Sequence, residues 1–290
     1  MKKEVHEKII KKNCIFVAEI FKNMNNGNSL EDLQTMFDTN PQMFNIVEEP
    51  IDIDLQLGYF RRARKLKKQA RKLEDVLAMV PQLYDENLRV EEKRDILILL
   101  ASFEQVEAFR ALEAYWKTAQ GEVRPWVAMA YQESKMALES SLLDTKQVLI
   151  STGLGGKGYK LRYFICFLHN EDIPYTDTQQ KIIQNELSYT FKDYQAECET
   201  VEFSGNYAKI LALFPLACDV REVLIKVAEE CNQYGNFISH NFMVTNVKAL
   251  DDEEITELVQ TRELEAELAE QLSSLFGGGY GEYDDDDDDD

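Results

Sequence analysis

Apolar residues recur at helical spacing through the first half of the chain and alternate with polar ones through much of the second. Val5, Ile9, Ile10, Phe16, Val17, Ile20 and Phe21 make a helical stripe that ends in the polar loop Asn23–Ser29. Ser29 with Asp32 three residues on has the form of an N-cap, and predicts a short helix over Leu30–Phe37. The Pro41 and Pro50 breaks then lead to one long helix from about Asp54 to Met79, stopped before Pro81. In that helix Leu66, Ala70, Leu73 and Leu77 line one seam. Glu91 to Leu143 holds three further amphipathic patterns with very short breaks. They are centred on Lys93–Leu100, on Gln105–Ala119 and on the stretch entered by Val123-Arg-Pro-Trp, where Pro125 suits a first helical turn.

After Asp144 the period changes from 3.6 to 2. Val148–Ser151 and the alternation Tyr159, Leu161, Tyr163, Ile165, Phe167 predict two strands around a glycine turn. A helix over Thr178–Tyr194 follows, then strands Glu197–Phe203 and Tyr207–Phe214 joined by a turn at Ser204-Gly-Asn206. A helix over Asp219–Tyr234 and a strand over Phe237–Val247 complete the order ββαββαβ. Asp251 to Phe276 predicts an acidic helix, and the ending GGGYGEYDDDDDDD has the composition of a disordered tail.

These elements predict an α+β protein of two domains: an all-helical domain over 1–144 and an α+β domain over 145–250, followed by the helix 251–276 and the tail 277–290. The short helices, the tight connections and the Val123–Ala128 entry resemble HEAT-type repeats, which would imply stacked helical hairpins with an extended face for a partner. The ββαββαβ order resembles a ferredoxin-like sandwich with one added strand, a fold that serves enzymes, ligand sites and RNA-binding domains alike.

Charge alters this picture in one place. The chain carries a formal net charge of −21, a sign that repels nucleic acid and anionic membranes unless a local patch overrides it. Such a patch exists: Arg61–Lys72, RRARKLKKQARK, holds eight basic residues and no acidic one. Phosphate neutralisation needs clustered Lys and Arg but no base-reading geometry, so Arg61, Arg62, Arg64, Lys65, Lys68 and Lys72 are candidate contacts to nucleic acid or to an acidic partner. The same cations could equally pair with carboxylates of their own fold or meet an acidic lipid surface. The block has no interleaved aromatics, which weakens a single-strand stacking mode. The seven terminal aspartates could occupy the basic helix, engage a basic client as an acidic chaperone does, or serve solubility alone.

Other candidate chemistry is sparse. Gly153, Gly155 and Gly158 match GxGxxG, with Gly156 and Lys157 between them, but a strand rather than a helix follows. A hairpin turn is the simpler reading, and an anion loop of backbone N–H groups is the functional one. The histidines are His6, His169 and His240. Cys166 and His169, three apart on a strand, point to opposite faces, and His240 sits at the start of the last predicted strand without an evident base–nucleophile set. Five dispersed cysteines without a CxxC pair suit buried thiols in a reducing compartment, and no apolar run is long enough to span a bilayer. The expectation is a non-enzymatic cytoplasmic interaction protein, without cofactor or metal. It would bind a protein or ribonucleoprotein through the helical domain and the basic helix, tuned by the acidic tail. The alternatives are a phosphate-ligand site or enzyme built on Gly153–Gly158 with Lys157 and His240, and a chaperone of a basic client.

Overall fold

Phe44 and Ile46 are buried on one side of a three-residue strand, β1 (Phe44–Ile46), while Asn45 between them is half exposed. This is the first element of the computed structural model, which describes residues 43–69, 71–143, 148–261 and 264. The stripe Val5–Phe21, the helix Leu30–Phe37, Ala70 of the seam, most of the acidic helix and the Gly/Asp tail lie outside the described residues.

The helical part runs α1 (Ile53–Leu66), α2 (Leu73–Leu77), a 3-10 turn at Val80–Tyr84, α3 (Val90–Ala101), α4 (Val106–Trp116), a 3-10 turn at Gly121–Val123 and α5 (Arg124–Leu143). The long helix expected from Asp54 to Met79 is therefore two. Continuing it would stack Arg64 over Lys68 and Lys68 over Lys72, like-charge pairs one turn apart with no carboxylate between them. Instead α1 stops just after Arg64 and Lys65, whose charges favour a helix C-terminus. The chain turns through Lys67–Gln69, and α2 places Val76 in the core with no exposure. Around Tyr59, Val76, Leu83, Leu97, Leu100, Leu112, Val127 and Met129, one apolar cluster unites α1–α5.

The sheet part runs β2 (Val148–Ile150), β3 (Gly156–Lys157), β4 (Lys160–Leu168), α6 (Asp177–Asp193), β5 (Glu197–Ser204), β6 (Tyr207–Pro215), α7 (Val220–Asn232) and β7 (Met243–Thr245). β4 pairs antiparallel with β6 along its whole length. Its other edge takes β3 at Lys160–Leu161 and β7 at Phe164–Cys166, while β5 closes the sheet beyond β6. Ile165 and Phe167 of β4, with Ala208, Ile210, Ala212 and Phe214 of β6, form the apolar face covered by Ile183, Leu187 and Phe191 of α6 and by Val223, Leu224 and Val227 of α7.

Two expectations need correction here. β2 does not form a hairpin with the strand after the glycines: it pairs in parallel with β1, Val47 N–H reaching Ile150 O at 2.9 Å. The last strand is three residues, not eleven, because Ile238 makes only an isolated bridge to His169 and the chain loops away before Met243. The architecture is mixed helix and sheet, α+β. Helical and sheet segments fall within one compact unit, Met1–Ala249, and the second unit is Leu250–Asp290. That second unit begins as a helix over 252–261, where Glu254 N–H bonds Asp251 Oδ1 at 2.9 Å and the Glu254 carboxylate accepts from Asp251 N–H at 3.2 Å. Among the described residues no helix is long and apolar enough to cross a membrane.

Candidate polyanion-binding surface

α1 begins at Asp52, whose carboxylate accepts from the N–H groups of Asp54 (2.9 Å) and Leu55 (3.1 Å). Ile53, Gln56, Tyr59 and Ala63 follow at helical spacing and are buried, which fixes the rotation of the helix against α3 and α5. That rotation sorts the eight cations into two groups.

Arg62 and Lys67 are held by carboxylates of other helices, Arg62 half-buried and Lys67 still exposed. Arg62 grips Asp95 of α3 with two hydrogen bonds, Nε to Oδ1 at 2.5 Å and Nη2 to Oδ2 at 2.9 Å, and reaches Glu91 O at 3.2 Å. The hydrogen bonds it donates to Asp95 raise the guanidinium pKa above its ordinary value and outweigh burial, which lowers it. Lys67 Nζ meets Glu133 Oε1 of α5 at 2.6 Å, while the other oxygen of Glu133 accepts from the fully buried Tyr59 hydroxyl at 2.6 Å. Tyr59 packs on Trp126, ring centroids 5.8 Å apart, and Arg94 lies over the same indole at 4.7 Å. Burial first, and the Glu133 charge second, push the Tyr59 phenol well above its ordinary pKa.

The remaining cations face solvent. Arg61, Arg64 and Lys65 are exposed within an arc of about 100° of α1, given 3.6 residues per turn. Lys68, Arg71 and Lys72 are exposed in the turn that follows. Arg61 donates to Leu57 O at 3.2 Å and Arg71 to Gln69 Oε1 at 3.4 Å. Among the described residues none of the six forms an ion pair with a carboxylate. Glu74 and Asp75 open α2 directly after Lys72 and offset its charge, so Arg61, Arg64, Lys65 and Lys68 are the least compensated. Of the residues singled out by the sequence, Arg62 alone belongs to the pinned group. Its partner Asp95, and the Lys67 partner Glu133, lie 33 and 66 residues away in the chain, and no local pattern signals either.

The glycine stretch is differently occupied. Gly153 and Gly155 are buried where backbones nearly touch: a Cβ on Gly153 would stand 1.7 Å from Val247 O, and one on Gly155 (φ +66°) 2.4 Å from Glu48 O. Leu154 N–H donates to Asn246 O, Gly155 N–H to Thr152 O, and Gly158 N–H to the Glu48 carboxylate at 3.3 Å. An anion here would have to displace these acceptors, one of them itself an anion. Gly156 packs against Lys160 O, and Lys157 is exposed, 3.9 Å from Glu197. The hairpin turn exists, but it is the two-residue turn between β3 and β4, and the glycines before it are packing positions.

His169 is buried, its Nδ1 accepting from Glu171 N–H at 3.1 Å and its ring edge-on to Tyr175 at 5.1 Å. Cys166 lies buried in β4, and exposed His240 lies in the loop before β7 rather than in a strand. Among the described residues no three His, Cys, Asp or Glu side chains gather as a metal-binding group. The chain matches no protein-family model and no curated protein sequence.

Proposed function

We propose that this is a non-enzymatic interaction protein that docks an anionic partner, a ribonucleoprotein or an acidic protein surface, on the exposed cations of α1 and the turn after it. One observation carries the reading: within a single basic block, carboxylates hold Arg62 and Lys67, while Arg61, Arg64, Lys65 and Lys68 are exposed and, among the described residues, pair with none. Those two pairs, with buried Tyr59 and Ala63, fix the helix that carries the exposed arc. The mutual packing of α3, α4 and α5 supports a HEAT-like stack behind this surface. The β4–α6–β5–β6–α7–β7 succession, with strand order β5-β6-β4-β7, supports a ferredoxin-like sandwich as a second docking face. A cytoplasmic setting fits the free cysteines.

Retention on a heparin column in rising salt tests the reading. The wild-type chain should bind at low salt and elute later than Arg61→Gln/Arg64→Gln/Lys65→Gln, while Arg62→Gln, whose cation is already paired, should elute close to wild type. Co-elution of the triple variant with wild type would remove the arc from the function.

A further inference from the structure

We infer that the anion this surface fits is the phosphate backbone of a nucleic-acid duplex, held without reading its bases; the inference rests on the docking role proposed for the α1 arc. Three features of the surface lead there.

Spacing comes first. Arg61 and Lys65 are one helical turn apart, roughly 6 Å along the axis, and Lys68 follows in the turn just past the helix, so the four span on the order of 10 Å. These separations are near or within the Debye length of about 8 Å at physiological salt, so the cations repel one another and share whatever anion they attract. A monovalent ion cannot satisfy four of them. An extended acidic peptide offers at most one charge per ~3.3–3.6 Å, about three over that length. A duplex offers one per ~1.7 Å, about six, and releases condensed counterions when it is bound.

Absent stacking comes second. Single-strand binders set aromatic rings among their cations. Here no aromatic lies within Arg61–Lys72; of the two rings before it, Tyr59 is fully buried and Phe60 is partly buried, edge-on to Tyr59 at 5.6 Å. A separated strand would meet charge alone, at half the linear density of the duplex.

Third, α1 has one amide side chain, Gln56, and it is buried with Ile53, Tyr59 and Ala63, so no Asn or Gln of the helix is offered to a base edge. The outward cations neutralise phosphates, and phosphate contacts position a duplex without specifying its sequence.

The full chain is titrated by fluorescence anisotropy against short labelled duplex RNA, duplex DNA of two unrelated sequences, one separated strand, and a poly-aspartate peptide. Both duplex types should bind alike and several-fold tighter than the strand or the peptide. Arg61→Gln/Arg64→Gln/Lys65→Gln should lose at least tenfold in affinity, and its slope of log K against log salt should be shallower by about 2.7, or about 0.9 for each phosphate no longer neutralised. Tighter binding of the separated strand or a dependence on sequence would overturn backbone-only recognition while leaving the docking surface in place. A tighter peptide complex would replace the duplex with an acidic protein. Binding of no polyanion at all would take down the docking role itself.

Discussion

Gly153 and Gly155 lack side chains because neighbouring backbone occupies the space, and Gly155 also needs a positive φ. Gly153→Ala should therefore cost about 3 kcal/mol or more, since backbone cannot yield as a side-chain end can. Gly58, mid-helix in α1 with open space around it, should behave oppositely: Gly58→Ala should stabilise by about 0.5–1 kcal/mol. Urea unfolding of both variants checks the contrast, and a fully stable Gly153→Ala protein would contradict the packing role. Tyr59 makes a second residue-scale prediction. Its phenol donates to the Glu133 carboxylate, so Tyr59→Phe should lose about 1.5–3 kcal/mol, the range for a hydrogen bond to a charged group. Its raised pKa gives a pH signature with a definite sign. In the unfolded chain the phenol ionises near pH 10, while the native one stays protonated. The contribution is thus complete below about pH 10, and stability falls as pH rises above that value. Buried Tyr175, also raised by desolvation, adds in the same direction. Urea midpoints measured between neutral and strongly alkaline pH should decline above that point, less steeply in Tyr59→Phe.

Within α1, capping, rotation and termination have separate causes. Asp52 starts the helix, the buried stripe sets its rotation, and the chain leaves it at Lys67 before Val76 of α2 enters the core. Asp52→Ala should cost about 1 kcal/mol by thermal or urea unfolding and leave polyanion retention unchanged, since the arc lies two turns away. A fall in retention as large as that of the triple variant would mean the arc depends on the cap. Elements that carry their own signals match the sequence closely. Asp219 caps α7, and Gly205 (φ +57°) makes the β5–β6 turn where Ser204-Gly-Asn206 predicted it; at α6 the cap is Thr176, in a capping box with Gln179, and Asp177, the cap expected from the sequence, is the first helical residue. Elements that depend on a distant partner do not. β1 is three residues long and exists because Val148–Ile150 pairs with it, and β7 is limited to the residues that reach β4.

For the molecule as a whole, charge is the property that bears on function. In a chain of net charge −21, α1 sets Arg61, Arg64 and Lys65 exposed in one arc, and among the described residues none of the three pairs with a carboxylate. Self-repulsion between the acidic body and a polyanion must limit affinity, and the seven terminal aspartates add to it. Deleting Asp284–Asp290 should raise duplex affinity at low salt, and the gain should vanish in high salt, where screening removes long-range terms. Equal affinities at low salt would leave the tail without influence on this surface.

By itself the sequence determined the α+β class, the change from helical to alternating period after Asp144, most helices and the central strands, because each follows from local spacing, caps and turns. It also located the basic block. Only the tertiary structure decided which of those cations are free, since Asp95 and Glu133 come from other helices, and that α1 and α2 are separate, since Val76 is buried in a core the local pattern does not describe. It likewise showed the glycines as sites of close backbone approach to Val247 and Glu48. Periodicity is written along the chain, whereas strand pairing and close packing depend on residues far apart in it.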